Sequence, residues 1–291
     1  MTSKTTSTFA GIEDQYTDKD RAAVYLQSIP YDGTSTWGKG ADQGFDAFMD
    51  AAANMELYDI ETDSEVYLQG IHLLEAAPAF DSPEAMYAYT YEQTKSLLKK
   101  GKFLTFFGGE HSVSIGIIKA HYEHYDNLTV LQIDAHADLR PTYEDTPYNH
   151  ACALYDASQH CNLVQVGIRS MDAAEKAHVQ PGNMFFAHEM YREETWMEKA
   201  LAQMGDNVYI TFDLDALDPS ILPGTGTPEP GGLSWYSAIT FLRSVFASKH
   251  VVGFDIVELA PIEGHTASQF LAAKLYYKML SYKFSPLSPT S

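Results

Sequence analysis

Cysteine is almost missing from this chain: two residues, Cys152 and Cys161, in 291. The fold cannot rest on a disulfide framework, and neither thiol has the C-x-x-C spacing of a structural zinc site. Basic residues are also scarce. Lys and Arg number 19 against 39 Asp and Glu, a formal net charge of −20. Nucleic acid and anionic membrane surfaces are poor partners for such a chain, whereas a small cation is attracted to it. No apolar run approaches the ~18–20 residues of a membrane span. The first residues, Met1-Thr-Ser-Lys-Thr-Thr-Ser7, hold no apolar secretory signal. A cytoplasmic location is the expectation. Internal repeats and Gly/Ser linkers are missing too, so residues 1–291 are expected to form a single domain with flexible ends at 1–8 and 285–291.

What the chain does have is alternation. Apolar runs at Ala23–Ile29, Phe103–Phe107, Leu128–Ile133, Leu163–Gly167, Met184–Ala187, Val208–Phe212 and Val251–Ile256 read as strands. Longer amphipathic stretches at Pro83–Lys100, Val113–Glu123, Glu189–Met204, Trp235–Ser248 and Thr266–Tyr282 read as helices. Leu128-Thr-Val-Leu-Gln-Ile133 is nearly continuously apolar, which suits a strand covered on both faces. Strands alternating with helices predict an α/β fold with a mostly parallel sheet. Pro83 suits a helix's first turn, and Thr266 suits an N-cap.

The polar residues with chemical potential fall just past these strands. His111 follows the run ending at Phe107, Asp134 the run ending at Ile133, Asp213 the run ending at Phe212, and Glu258 the run ending at Ile256. Ligands of open parallel sheets bind beyond the carboxyl ends of strands, so four strands would deliver these groups to one edge. Asp134-x-His136-x-Asp138 and Asp213-x-Asp215 place alternate side chains on one side of the backbone. With His111 they supply six potential metal ligands, four Asp and two His. Each D-x-H or D-x-D alone is weak evidence, because acidic turns are common; their combination is specific. Carboxylates with one imidazole per ion suit a hard to borderline divalent cation, Mn²⁺ better than structural Zn²⁺. Two such cations sharing carboxylates would activate water for hydrolysis without a protein nucleophile.

Gly108-Gly-Glu-His-Ser-Val-Ser114, Asp134-Ala-His-Ala-Asp138 and Thr211-Phe-Asp-Leu-Asp-Ala-Leu-Asp-Pro-Ser220 resemble the three signatures of the ureohydrolases, the arginases, agmatinases and their relatives. Pro30-Tyr-Asp-Gly-Thr34, Pro223-Gly-Thr-Gly-Thr-Pro-Glu-Pro-Gly-Gly232 and Asp255-Ile-Val-Glu-Leu-Ala-Pro261 extend the resemblance over roughly residues 24 to 280. It implies a three-layer α/β/α fold, two Mn²⁺ per subunit, and a homo-oligomer, either trimer or hexamer. One ion would take His111, Asp134, Asp138 and Asp213. The other would take Asp134, His136, Asp213 and Asp215, so that Asp134 and Asp213 bridge. His150 resembles the family's proton-shuttling histidine, and its near-neutral pKa suits that task. The alternative for His150 is a structural loop histidine. Glu258 resembles the glutamate that grips a guanidinium, whose forked donors match a carboxylate. Asp218, before Pro219, is expected to organise its loop rather than bind metal. Cys152 is expected to be a buried thiol, and His121, His124 and His250 lack ligand spacing.

The resemblance leaves the substrate open among guanidino compounds. Arg140 and Thr146 stand where arginases hold the asparagine and serine that grip an α-carboxylate. The usual arginase clamp is therefore absent. Glu144, Asp145 and Asp172 are candidates to meet an ammonium group, and Arg140 could instead hold a carboxylate. Agmatine, a dication hydrolysed to putrescine and urea, is the expected substrate. Arginine, guanidinobutyrate and formimidoylglutamate are the other guanidino or amidino candidates. An arginase-fold deacetylase with one zinc and a non-catalytic binding protein are the more distant readings.

Overall fold

The computed structural model describes residues 8–287. Eight strands form one sheet: β1 Val24–Ile29, β2 Ile71–Leu73, β3 Phe103–Gly108, β4 Thr129–Ile133, β5 Asn162–Ile168, β6 Met184–Phe186, β7 Asn207–Asp213 and β8 His250–Val257. Their order is β2-β1-β3-β8-β7-β4-β5-β6, and every adjacent pair is parallel. Parallel neighbours need crossover connections. Eight helices accompany the strands: α1 Gly44–Ala52, α2 Pro83–Leu98, α3 Val113–His124, α4 Tyr155–His160, α5 Ala187–Met190, α6 Trp196–Gln203, α7 Trp235–Ser248 and α8 Ala267–Phe284.

Side chains alternate across a strand, so each sheet face fills its own core. On β7, Val208, Ile210 and Phe212 join one core with residues of α1, α6, α7 and α8. Tyr209, between them, joins the other with α2, α3 and α4. β4 divides the same way, Leu131 and Ile133 to the first core and Val130 to the second. The result is the three-layer α/β/α architecture that the sequence predicts.

Some elements differ from expectation. The stretch Glu189–Met204 is two helices, α5 and α6, parted by a turn around Arg192–Thr195. No Gly or Pro marks that turn, so hydrophobic spacing reads through it. Short β2, α1 and α4 were not anticipated. Pro83 does open α2, where Ser82 Oγ accepts the Ala85 N–H at 3.1 Å. Thr266 precedes α8 but makes no capping hydrogen bond with its side chain. Of the expected loose ends, residues 1–7 and 288–291 lie outside the described residues. Thr8 donates to the Ile12 carbonyl at 3.1 Å, and Leu287 packs on the core. Among the described residues, no helix is long and apolar enough to cross a membrane.

Topology positions the site. The chain passes from β3 to β4 across two places that β8 and β7 later fill. Strand order reverses there, and a crevice opens at the carboxyl ends. Gly109, just past β3, makes a close approach possible. A Cβ there would sit 1.9 Å from the Tyr31 carbonyl oxygen, so only glycine lets the segments after β1 and β3 touch.

His121 of α3 is fully buried, beside Tyr209 with ring centroids 4.3 Å apart. Its Nδ1 donates to the Ile117 carbonyl at 2.8 Å, and Nε2 has no partner. Burial pushes its pKa from 6.5 down to about 4. The unfolded chain therefore binds more protons between these values, and stability falls as pH drops through that window. The shift corresponds to about 3 kcal/mol. Denaturant titrations from pH 7 to 4 should show His121→Leu losing correspondingly less stability than wild type; parallel losses would contradict this role.

Candidate metal centre and active site

The site rests on a polar row within the sheet. Register pairs Gln165 with Gln132, Gln132 with Thr211, and Thr211 with Asp255 across β5, β4, β7 and β8. In-register neighbours share a face, and buried polar groups require partners. Gln165 Nε2 donates to Gln132 Oε1 at 2.6 Å, and the Thr211 hydroxyl donates to Asp255 Oδ1 at 2.6 Å. Tyr209 also donates to Asp255, at 2.7 Å. Two residues beyond Gln132 and Thr211 stand Asp134 and Asp213.

Asp134, Asp213 and Asp215 are anchored through one or both oxygens. Asp134 accepts the His136 N–H on Oδ1 at 2.6 Å and Gln132 Nε2–H on Oδ2 at 2.7 Å. Asp213 Oδ1 accepts the Asp215 N–H at 2.8 Å, and Asp215 Oδ1 accepts the Ala135 N–H at 3.0 Å. The loops after β4 and β7 are thereby tied together.

His111 shows what this arrangement holds. Its Nε2 lies 2.9 Å from Thr211 Oγ1. The Thr211 proton is committed to Asp255, so Thr211 can only accept from His111. Nε2 then carries the proton, and Nδ1 presents a lone pair. That nitrogen faces Asp138 Oδ2 at 3.0 Å, Asp134 Oδ2 at 3.1 Å and Asp213 Oδ2 at 3.4 Å. It has no hydrogen-bond partner among them. A lone pair against three buried carboxylates repels unless a cation sits between. His136 also turns Nδ1 toward acids, 2.9 Å from Asp215 Oδ2 and 3.7 Å from Asp134 Oδ1. Two groups arise that could hold a metal: His111, Asp134 and Asp213, and Asp134, His136 and Asp215. They share Asp134.

Electrostatics support the same fit. Burial, then repulsion from Asp134, lifts Asp138 to about 7. Burial, then Asp215 and Asp134, holds Asp213 well above the carboxylate range. Burial pushes His111 down, yet its acids outweigh that and hold it well above the usual imidazole range, so without a cation between them Nδ1 would take up a proton in the place where a metal would sit. The chain's own charges leave negative charge unbalanced, and divalent cations would balance it. The oxygen-rich donor set is that of a binuclear Mn²⁺ site.

A cavity of about 320 Å³ opens over this centre, lined by His111, His136, Asp138, Asp213 and Asp215 and also by His150 and Glu258. Glu258 is buried at the end of β8 with φ +67°, a strained setting for a residue with a side chain. Its Oε1 accepts the His111 N–H at 2.8 Å, and its own N–H donates to the Gly109 carbonyl at 2.8 Å. Burial, then Glu110 and Asp215, raises its pKa well above the ordinary range. His150 opens the turn His150–Cys152, and burial pushes its pKa down to about 4. The ring is thus neutral at neutral pH.

Of the residues expected at the substrate's tail, Arg140 and Asp172 line the cavity. Their side chains lie 3.7 Å apart, and Arg140 also stacks over Tyr143. Asp172 caps the following turn, accepting the Ala174 N–H at 2.9 Å. Glu144 and Asp145 do not line the cavity. They form the exposed tip of the tight turn between Tyr143 and Thr146, at φ 48° and 64°. Turn geometry sends their side chains to solvent, outside the cavity where the substrate amine was expected to meet them. Asp218 organises its loop as expected, accepting N–H bonds from Ser220, Gly231 and Gly232. Cys152 is buried, and burial pushes its thiol up to about 12.

Sequence reasoning missed the supports: Gln132, Gln165, Thr211, Asp255, Thr34 and Glu110. Most are polar residues inside apolar strand runs, which was their available signal. It also missed Arg169, whose guanidinium reaches the carbonyls of Asp215 at 2.6 Å and Glu229 at 2.7 Å, clamping two site loops.

Fold and site together define a binuclear metal-dependent hydrolase. The model of the Arginase family matches residues 22–281, and the chain belongs to that family. It is 35% identical over 274 residues to an N(1)-aminopropylagmatine ureohydrolase of Synechocystis, covering 90% of this chain and 89% of the relative. It is 30% identical to agmatinase of Bacillus subtilis, covering 90% and 92%. The agmatine ureohydrolase structure from Thermoplasma volcanium superposes with a TM-score of 0.84 at 25% identity, covering 97% of this chain and 95% of that one.

Thr211→Val would leave the His111 Nε2 proton unpaired and free the ring to turn. Metal affinity should weaken about 10–100-fold, with the fold retained by circular dichroism. Chelator-competition titration measures it, and unchanged affinity would refute the bracing.

Proposed function

We propose that this enzyme hydrolyses a guanidino-alkylamine to urea and a polyamine. The observation that carries the reading is one cavity lined by members of both His/Asp groups and by Glu258 and His150. His111, Asp134, Asp138 and Asp213 would hold one Mn²⁺; Asp134, His136, Asp213 and Asp215 would hold the other. When bound, the pair supplies the positive charge that acidifies water at neutral pH. Glu258 binds the guanidinium through paired hydrogen bonds and orients its carbon. Water's oxygen adds to that carbon, neutral His150 takes up a proton that the water gives up, and as the bond to the alkyl nitrogen breaks His150 hands that proton to the departing amine. The balance is substrate plus water to urea plus amine.

Sequence alone favours agmatine, with putrescine as product. A longer substrate is favoured by the relatives: three at 35–36% identity and one at 29% bear the name N(1)-aminopropylagmatine ureohydrolase, against 29–30% for the agmatinases. We take N(1)-aminopropylagmatine as the preferred substrate and agmatine as the second. Arg140 does not count against either, because Asp172 beside it offsets its charge and leaves no free carboxylate clamp. The assembly expected from the family resemblance, a trimer or hexamer, is readable by light scattering.

Urea release should be measured with manganese-loaded enzyme on both compounds, arginine and guanidinobutyrate. The expected order of kcat/KM places N(1)-aminopropylagmatine first and agmatine second; preference for arginine would overturn the reading. Glu258→Gln should lower kcat/KM about a hundredfold or more while metal content stays at the wild-type level. Undiminished turnover would remove Glu258 from the substrate.

A further inference from the structure

Thr34 lies in the loop after β1, two residues before Thr36 of the cavity wall, and is buried. Its hydroxyl sits between two groups. Glu110 Oε1 is 2.8 Å away on one side. On the other are the backbone N–H of His150, at 3.0 Å, and His150 Nδ1, at 3.3 Å. We propose that Thr34, held by Glu110, is a positioning residue that fixes the His150 ring with its proton on Nδ1, leaving Nε2 as the nitrogen that exchanges protons.

The argument is a count of donors and acceptors. Glu110 is completely buried and surrounded by donors. The N–H of Ser112 reaches Oε2 at 2.8 Å, while the Ser112 hydroxyl reaches Oε1 at 2.8 Å and the Thr34 N–H reaches it at 3.2 Å. A carboxyl so placed accepts on both oxygens and has no room to donate. The single Thr34 proton must therefore go to Glu110. Thr34 Oγ1 is then an acceptor toward His150, taking its backbone N–H and its ring Nδ1–H. The lone pair of neutral His150 is left on Nε2. Were the Thr34 proton turned to Nδ1 instead, Nδ1 would be blocked as acceptor and the ring would carry its proton on the wrong nitrogen.

The arrangement parallels that of His111, where Asp255 takes the Thr211 proton and Thr211 accepts from the imidazole. Both chains run carboxylate, threonine hydroxyl, imidazole. One leaves a lone pair for a metal, the other a lone pair for a proton. A ring in the wrong tautomer costs a general acid–base catalyst most of its effect.

This proposal rests on His150 carrying the proton, so the experiment separates the two ideas. Thr34→Val, Thr34→Ala, Thr34→Ser, His150→Asn and the double variant Thr34→Val/His150→Asn are assayed with N(1)-aminopropylagmatine and agmatine, after thermal melts. Thr34→Val should lower kcat about 10–100-fold with KM within about threefold. Thr34→Ser should restore activity, and the double variant should be no slower than His150→Asn alone. Should Thr34→Val fail to fold, Thr34→Ala gives the same comparison. Wild-type kcat in folded Thr34→Val or Thr34→Ala, beside a slow His150→Asn, would overturn the positioning role alone. A full additional loss in the double variant would overturn it equally. Wild-type kcat in His150→Asn would overturn both the positioning role and the proton-carrying role of His150.

Discussion

The structure depends on balancing charge in one buried place. Asp134, Asp138, Asp213 and Asp215 are brought together with two imidazoles at the end of the sheet, almost out of contact with solvent. Burying such a group is costly unless its charges are paired. Hydrogen bonds from backbone and Gln132 satisfy some oxygens, but they bring no compensating charge. The remaining oxygens converge on His111 Nδ1 and His136 Nδ1. Only cations complete that arrangement, and their positive charge is what the chemistry uses.

The sheet makes this charge cluster possible. β3, β8, β7 and β4 are neighbours; β7 ends in Asp213, and the other three are followed within three residues by His111, Glu258 and Asp134. Because the strands are parallel, all four ends lie on one edge. The polar row from Gln165 to Asp255 crosses β4, β7 and β8, and β5 beside them, beneath the ligands, so the supports are as rigid as the sheet itself. Catalytic groups held on strand ends and braced from behind keep their geometry better than groups on free loops.

The candidate ligands were legible in the sequence because they lie in short contiguous motifs directly after apolar strands. Asp134-x-His136-x-Asp138 advertises itself. Their supports did not, because Thr211 meets Asp255 and Gln132 meets Gln165 only through pairings between strands distant in sequence. The Thr34–Glu110–His150 chain was hidden for the same reason; its members come from three separate segments. Helix boundaries were readable where Pro83 or strong spacing marked them. They failed at Arg192–Thr195, where no breaker residue stands. The placement of Glu144 and Asp145 was not legible, because composition shows an acidic loop while the turn at positive φ sets where its tip points.

Diffraction at the manganese absorption edge from manganese-loaded crystals tests the central claim most directly. The account predicts two anomalous peaks per subunit about 3.5–4 Å apart, one against His111 Nδ1 and one against His136 Nδ1, with Asp134 and Asp213 touching both. A single peak, or peaks away from these two imidazoles, would contradict it.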